Sequence, residues 1–328
     1  MQRRKFIAGL GGIIALPLTA RAQQRTAIPT VGYLGSESPE RFGIRVAAFR
    51  QGLSAMGYDE GRNVIIEFRW AGGQSHRLPD LAADLVSRRV DVIVAPGSVI
   101  AALAAKAATT TIPIVFEIGL DPVAAKLVGS LGRPEGNVTG ITSLNVEVGP
   151  KRLELLHELL PSVKKFAVLV NTTNQLNTET TRKDLDGPSR ALGLELHFLN
   201  ASTEREFETA FASLAALQVG AVIIAGDIFF HSRAQQLAEL SVKYAVPAVL
   251  AVREFAVAGG LISYGGDIRE SHRQAGIYAG RILKGEKPAD LAVQQVTKLQ
   301  LVINLRTAKA LGVAVSLPLL GRADEVIE

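Results

Sequence analysis

Beyond residue 28 the chain alternates two kinds of segment. Short, unbroken apolar runs rich in β-branched residues are followed by longer stretches whose apolar positions recur at helical spacing. In the first half, strands are predicted at Val31-Gly-Tyr-Leu-Gly35, Val64-Ile-Ile-Glu-Phe68, Val90-Asp-Val-Ile-Val-Ala95 and Ile112-Pro-Ile-Val-Phe116, with helices over 41–56, 76–89 and 99–109. Apolar runs of this kind suit strands covered on both faces. Their alternation with helices predicts parallel pairing through helical crossovers.

The same order then repeats. Strands are predicted over 165–171, 194–198, 220–225 and 246–250, separated by helices over 178–192, 204–217 and 231–244. Strand starts near 31, 64, 90 and 112 are thus matched by starts near 165, 194, 220 and 246. This spacing predicts an α/β protein of two doubly wound, Rossmann-like lobes with parallel sheets. A strand at 261–264, a helix at 269–283 and a strand at 299–303 are left over. Shared between the lobes, they imply chain crossings near 144–150, 252–262 and 288–297. The first lobe is expected to take 28–145 plus 260–290, and the second 148–255 plus 295–328. Several crossings make a hinge rather than a loose tether.

Residues 1–22 stand apart from this pattern. Arg3-Arg4 precedes an apolar run from Phe6 to Leu18, and Ala20-Arg21-Ala22 closes the segment. A charged start, a short apolar middle and a small-x-small exit describe an export signal, and the paired arginines describe its twin-arginine variant. The run is too short for a membrane span, which takes about 20 residues. The signal alters the charge argument. The whole chain has 36 Lys+Arg against 31 Asp+Glu, and four of the basic residues lie within 1–22, leaving 32 against 31. With no basic stripe interleaved with aromatics, nucleic-acid binding is excluded. The absence of cysteine excludes disulfides, thiolate metal sites, a cysteine nucleophile and a lipid anchor at the cleavage site. A soluble, monomeric periplasmic protein is expected, exported by the twin-arginine translocase.

Catalytic motifs are thin. His157-Glu158 begins like a zinc-binding helix, but Pro161 follows and no second histidine does. Ser162-Val-Lys-Lys165 matches a Ser-x-x-Lys string without the partner motifs of serine acylases, and no Gly-x-Ser-x-Gly or phosphate-binding loop is present. No cofactor is expected. Polar residues instead gather where the predicted strands end, the edge at which doubly wound sheets bind ligands. They are Ser36, Gly97, Ser98 and Asp121 in the first half, and Asn171, Asn174, Asp227, Glu254 and Tyr264 in the second. Serines and amides beside helix N-termini suit a carboxylate, whereas Asp121, Asp227 and Glu254 suit an ammonium. Taken singly, Ser36 and Ser98 also read as helix caps, and Asp121 and Asn171 as turn formers. Tyr264, Phe229 and Phe230 suit an apolar pocket, and the two phenylalanines equally suit the core.

Further residues carry a resemblance through most of the chain after the signal. They include Val31-Gly-Tyr-Leu-Gly35, Phe49-Arg-Gln-Gly-Leu53 with Gly57-Tyr58, and Asn63-Val-Ile-Ile-Glu67. Ala107-Ala-Thr-Thr-Thr-Ile-Pro113, Asp121-Pro122-Val123, Gly136-Asn-Val-Thr-Gly140, Gly259-Gly-Leu-Ile-Ser-Tyr-Gly265 and Gly285-Glu-Lys-Pro288 extend it. The chain resembles the type I periplasmic substrate-binding proteins of ABC transporters, and more narrowly their tryptophan/tyrosine-type uptake branch. The resemblance implies a non-enzymatic protein whose lobes close on a small solute, an aromatic amino acid as the first guess, and deliver it to an ABC permease. A sensory binding protein feeding a membrane receptor has the same lobes, and a cleft hydrolase remains a third possibility. Many members of the family carry a lipobox cysteine or an ordinary export signal, and this chain carries neither.

Overall fold

The computed structural model describes residues 28–328, so the signal features at Arg3, Arg4, Ala20 and Ala22 lie outside the described residues. The first part of the chain runs β1 (Thr30–Gly35), α1 (Pro39–Ala55), β2 (Ile65–Trp70), α2 (Leu78–Ser87), β3 (Val92–Pro96), α3 (Val99–Ala108), β4 (Ile114–Ile118) and β5 (Val138–Thr142). The second runs α4 (Gly149–Leu159), β6 (Lys165–Val170), α5 (Gln175–Ala191), β7 (Glu195–Asn200), α6 (Glu204–Ser213), β8 (Ala221–Ile224), α7 (Ile228–His231), α8 (Ala234–Lys243), β9 (Ala248–Leu250), α9 (Arg253–Val257) and β10 (Ile262–Gly266). The tail adds α10 (Ile268–Leu283), β11 (Gln294–Gln295), β12 (Leu299–Asn304), α11 (Leu305–Ala310), α12 (Leu317–Leu320) and β13 (Glu325–Ile327).

The strands form two sheets. One has the order β11-β5-β4-β3-β1-β2 with every pair parallel, and the other β13-β12-β10-β9-β8-β6-β7 with only the β10–β12 pair antiparallel. The doubly wound α/β class expected from the alternation is therefore present twice. Successive residues of a strand supply opposite faces. In the first sheet Val92 and Val94 join the core under α1 and α10, while Ile93 and Ala95 join the core under α2 and α3. Helices α1 and α10 meet at glycines. A Cβ on Gly52 would overlap the carbonyl oxygen of Arg273, and one on Gly276 would overlap that of Phe49.

Two expectations are corrected. Ile262–Gly266 does not join the first lobe: it pairs parallel with β9 and antiparallel with β12, inside the second sheet. The segment 252–262 accordingly stays in the second lobe as α9 and the approach to β10. The middle crossing lies at Asp267, whose carboxylate caps α10 through the Arg269 and Glu270 N–H groups. Chain adjacency of a strand and the helix after it does not reveal that the connection between them leaves the lobe. Strand β5 was also unannounced by the apolar pattern. It is Val-Thr-Gly-Ile-Thr, with Thr139 and Thr142 fully buried and their hydroxyls donating to the Leu291 and Leu120 carbonyls at 2.6 and 3.1 Å. A Cβ on Gly140 would overlap the carbonyl oxygen of Phe116 on β4.

The crossings are laced together by one side chain. Arg152, 1% exposed, donates from Nη2 to the Asn145 carbonyl at 2.7 Å and from Nη1 to the Tyr264 carbonyl at 3.3 Å. Asn145 Oδ1 in turn accepts the Gly266 N–H at 2.7 Å. Burial pulls the Arg152 guanidinium down to about 10, still charged at neutral pH.

Candidate functional site

The carboxyl edges of the two sheets face each other across an interlobe cleft. From the first lobe, β1 delivers Ser36 and Glu37, β3 delivers Gly97 and Ser98, and β4 ends at Glu117 and Ile118. From the second, the end of β6 and the start of α5 deliver Asn171, Asn174 and Asn177, and the end of β8 delivers Gly226 and Asp227. Gly97 has φ +81°, a conformation that favours glycine. That turn aims its N–H at Glu117, with 2.7 Å to the carbonyl oxygen and 3.0 Å to Oε2.

On the second-lobe side Asp227, 3% exposed, is the hub of a polar network. Its Oδ1 accepts Asn171 Nδ2 at 3.2 Å and the Phe229 N–H at 2.9 Å. Its Oδ2 accepts Asn174 Nδ2 at 2.8 Å and Asn177 Nδ2 at 3.1 Å. A carboxylate offers about four lone-pair positions. All four are taken, so in this state Asp227 organises three amides instead of presenting an open acceptor.

Deeper in the cleft, Arg45 from α1, Glu117 from β4, His231 from α7 and His272 from α10 line one space. Desolvation pushes the Glu117 carboxyl up to about 7, against the pull of the Ser271 hydroxyl, Arg45 and the Gly97 N–H. Burial, with the nearby Arg45 charge, pushes His272 down to about 3. Burial holds His231 well below the ordinary histidine range, helped by Arg45 and Arg152. Both imidazoles are therefore neutral at pH 7. His272 Nδ1 donates to the Ile268 carbonyl at 2.9 Å, which leaves Nε2 as an acceptor with no partner.

The lobes touch around this space. Arg233 of the second lobe pairs with Glu37 of the first, Nη1 to Oε2 at 3.0 Å, with side-chain exposures of 9% and 4%. Arg41 of the first lobe reaches Glu204 of the second at 2.5 Å, and the same Glu204 oxygen accepts Arg233 Nε at 3.0 Å. Arg41 also donates to the Ser232 carbonyl at 3.2 Å. Desolvation raises the Glu37 pKa, with Arg233 as the largest opposing influence. The arrangement is that of a closed cleft.

The structure brings together Ser36, Gly97, Ser98, Asn171, Asn174 and Asp227 along this cleft. Ser98 also caps α3, accepting the Ala101 N–H at 3.3 Å, and Ser36 Oγ is buried without a partner. Three residues fall elsewhere. Asp121 belongs to its own turn, its Oδ1 accepting the Val123 N–H at 2.8 Å, and does not line the cleft. Glu254 sits on a neighbouring groove between the lobes, shared with Arg45 and His231, and is 39% exposed and 3.6 Å from Arg269. Tyr264 lies in β10 and packs against the second-lobe core, because that strand belongs to the second sheet. Phe229 and Phe230 are core residues at 8% and 0% exposure, and Phe229 also touches the rim. Sequence reasoning missed Arg45, Asn177, His231 and His272 as cleft residues, none of which carries a local signal. Glu117 stands at the end of the predicted strand 112–116, a carboxylate directly after an apolar run.

Residues 39–327 match the family model described as ABC transporter substrate binding protein. The chain is 30% identical over 264 residues to a tyrosine-binding protein of Clostridioides difficile (strain R20291), covering 80% of this chain and 75% of that one. The crystal structure of an ABC domain in complex with L-Trp from Streptococcus pneumonia is similar at a TM-score of 0.82 and 25% identity, covering 92% of this chain and all of that one. The ligand-free, open structure of a substrate binding protein with adhesive properties from Clostridium difficile gives 0.64 at 24% identity, covering 92% of this chain and 99% of that one. Two parallel-dominated sheets around one cleft are the type I periplasmic binding protein fold. With a family match spanning both lobes and the cleft, the chain belongs to the ABC transporter substrate-binding proteins.

Proposed function

We propose that this protein captures an aromatic amino acid between its lobes in the periplasm and delivers it to an ABC permease, having been exported by the twin-arginine route. The observation that carries this reading is the cleft itself. An interlobe space of mixed lining, containing an acid and a base, is bounded by rims joined through Glu37–Arg233 and Arg41–Glu204. The tyrosine-binding relative and the L-Trp complex support the choice of solute. A solute favours closure only so far as it binds the closed form better than the open one. Contacts from both lobes supply that difference.

The test is a thermal-shift and calorimetric titration of protein stripped of co-purified solute by unfolding and refolding. L-tyrosine or L-tryptophan is expected to raise the melting temperature, with about 2.7 kcal/mol of stabilisation at 100 times Kd. A flat response across all amino acids overturns the reading. Export is tested separately with residues 1–22 fused to a reporter. Arg3→Lys with Arg4→Lys should stop its periplasmic accumulation, and continued accumulation refutes the route.

A further inference from the structure

Charge bookkeeping across the cleft singles out two side chains. Arg45 is half-buried and makes no ion pair within 4.0 Å among the described residues. Its one hydrogen bond as donor runs from Nη1 to the Arg41 carbonyl at 3.4 Å, and its buried Nε has no partner. Glu117 is 3% exposed, and its contacts leave capacity unused. Oε2 accepts the Gly97 N–H at 3.0 Å and Oε1 accepts the Ser271 hydroxyl at 3.0 Å, so each oxygen retains a lone pair. Asn177 Oδ1, from the opposite lobe, is buried without a partner, because the amide nitrogen beside it is committed to Asp227 and the Gly226 carbonyl. All three residues line the same space.

Among the other acids near the cleft, Glu37 is paired with Arg233, and Glu147 keeps a buried Oε2 without a partner but does not line this space. Asp227 has its four positions filled, Asp121 accepts the Val123 N–H in its own turn and does not line this space, and Glu254 faces Arg269 at 3.6 Å in a neighbouring groove that Arg45 also lines. A zwitterion meets the unused capacity on both sides. A guanidinium fork is matched to a carboxylate, and a carboxylate with an amide oxygen is matched to an ammonium. Resting on the reading that the solute is an amino acid, we propose that Arg45 receives its α-carboxylate and that Glu117, joined by Asn177 Oδ1 on closure, receives its α-ammonium. Arg45 and Glu117 both belong to the first lobe, so the solute loads there first. Asn177 then arrives with the second lobe, giving closure a direct stake in the ammonium.

The test combines ligand truncation with mutation in a double cycle. The probes are L-tyrosine, tyramine, which lacks the carboxylate, and 3-(4-hydroxyphenyl)propionate, which lacks the ammonium. L-tryptophan, tryptamine and indole-3-propionate form the parallel set. Each missing charge is expected to cost the wild-type protein about 10- to 100-fold in affinity. Arg45→Met should erase the penalty for the missing carboxylate and keep that for the missing ammonium, and Glu117→Gln should do the reverse. Arg45→Lys, which keeps the charge without the fork, should fall between, and it replaces Arg45→Met should that variant fail to fold. The assignment is overturned by either penalty surviving intact in its matched variant, or by a wild type that treats all three probes alike. Failure of the wild type to bind any amino acid overturns the underlying reading instead.

Discussion

Arg233→Met tests whether the rim contacts set the closing equilibrium. The substitution keeps much of the aliphatic stem but removes a guanidinium that lies 3.0 Å from both Glu37 and Glu204 and 4.0 Å from the Phe229 ring centroid. Glu37, 4% exposed in its side chain, loses the partner that most opposes its desolvation. Removing one member of a buried pair costs about 3–5 kcal/mol when the other charge stays trapped. Here the carboxyl escapes by protonation or by rehydration as the lobes separate, so about 2–3 kcal/mol is the appropriate scale. Arg233 and Glu37 sit on opposite lobes, so the loss of that pair falls on the closed state, whereas the contacts to Glu204 and Phe229 within the second lobe are lost from open and closed forms alike. Ligand affinity should then weaken by roughly 30- to 150-fold, with the ratio of L-tyrosine to L-tryptophan affinity unchanged. Because the chain has no cysteine, Asp80→Cys and Glu239→Cys place two dyes cleanly, one on each lobe. Calorimetry gives Kd, and energy transfer between the dyes gives the open fraction, which should rise without ligand. Unchanged affinity together with unchanged energy transfer would refute the latch.

Three other outcomes are expected. Asp227→Ala strands three buried amides and uncaps α7, so it should cost about 3 kcal/mol and lower the melting temperature even without ligand; wild-type stability would show the network to be dispensable. Gly52→Ala should destabilise by about 1–3 kcal/mol, because the new methyl drives α1 off the Arg273 carbonyl; equal urea midpoints would refute the close approach. Amino-acid affinity should fall as pH drops below about 7, where Glu117 gains a proton and ceases to accept an ammonium. The groups facing Glu117 are Tyr33 on β1, Arg45 on α1, and Ser271 and His272 on α10, and none of them changes charge between pH 5 and 7. An affinity flat over that range in wild type, or a fall that survives in Glu117→Gln, contradicts the assignment.

The burial pattern of a strand is written in its own residues, and it was legible to within about two positions. Strands expected to start near 31, 64, 90, 112, 165, 194, 220 and 246 begin at 30, 65, 92, 114, 165, 195, 221 and 248. What failed was local polarity without local cause. β5 satisfies Thr139 and Thr142 with carbonyls far along the chain, so its alternation carries no apolar signature. β10 reads as a unit with α10 although the two sit in different lobes, because pairing with β9 and β12 outweighs chain adjacency.

The rim followed the same division. That polar residues would collect where the parallel strands end follows from the βα order, and six of the nine candidate residues line the cleft. Which of those residues still has bonding capacity is a different matter. Asp227 and Glu117 are both carboxylates at strand ends, and nothing in their neighbours along the chain separates them. Folding brings Asn171, Asn174 and Asn177, more than 48 positions away, onto Asp227 and exhausts it, while Glu117 keeps a lone pair on each oxygen. Order and burial come from short-range patterns of hydrophobicity. Hydrogen-bonding capacity is consumed by partners distant in sequence, and so is settled only in three dimensions.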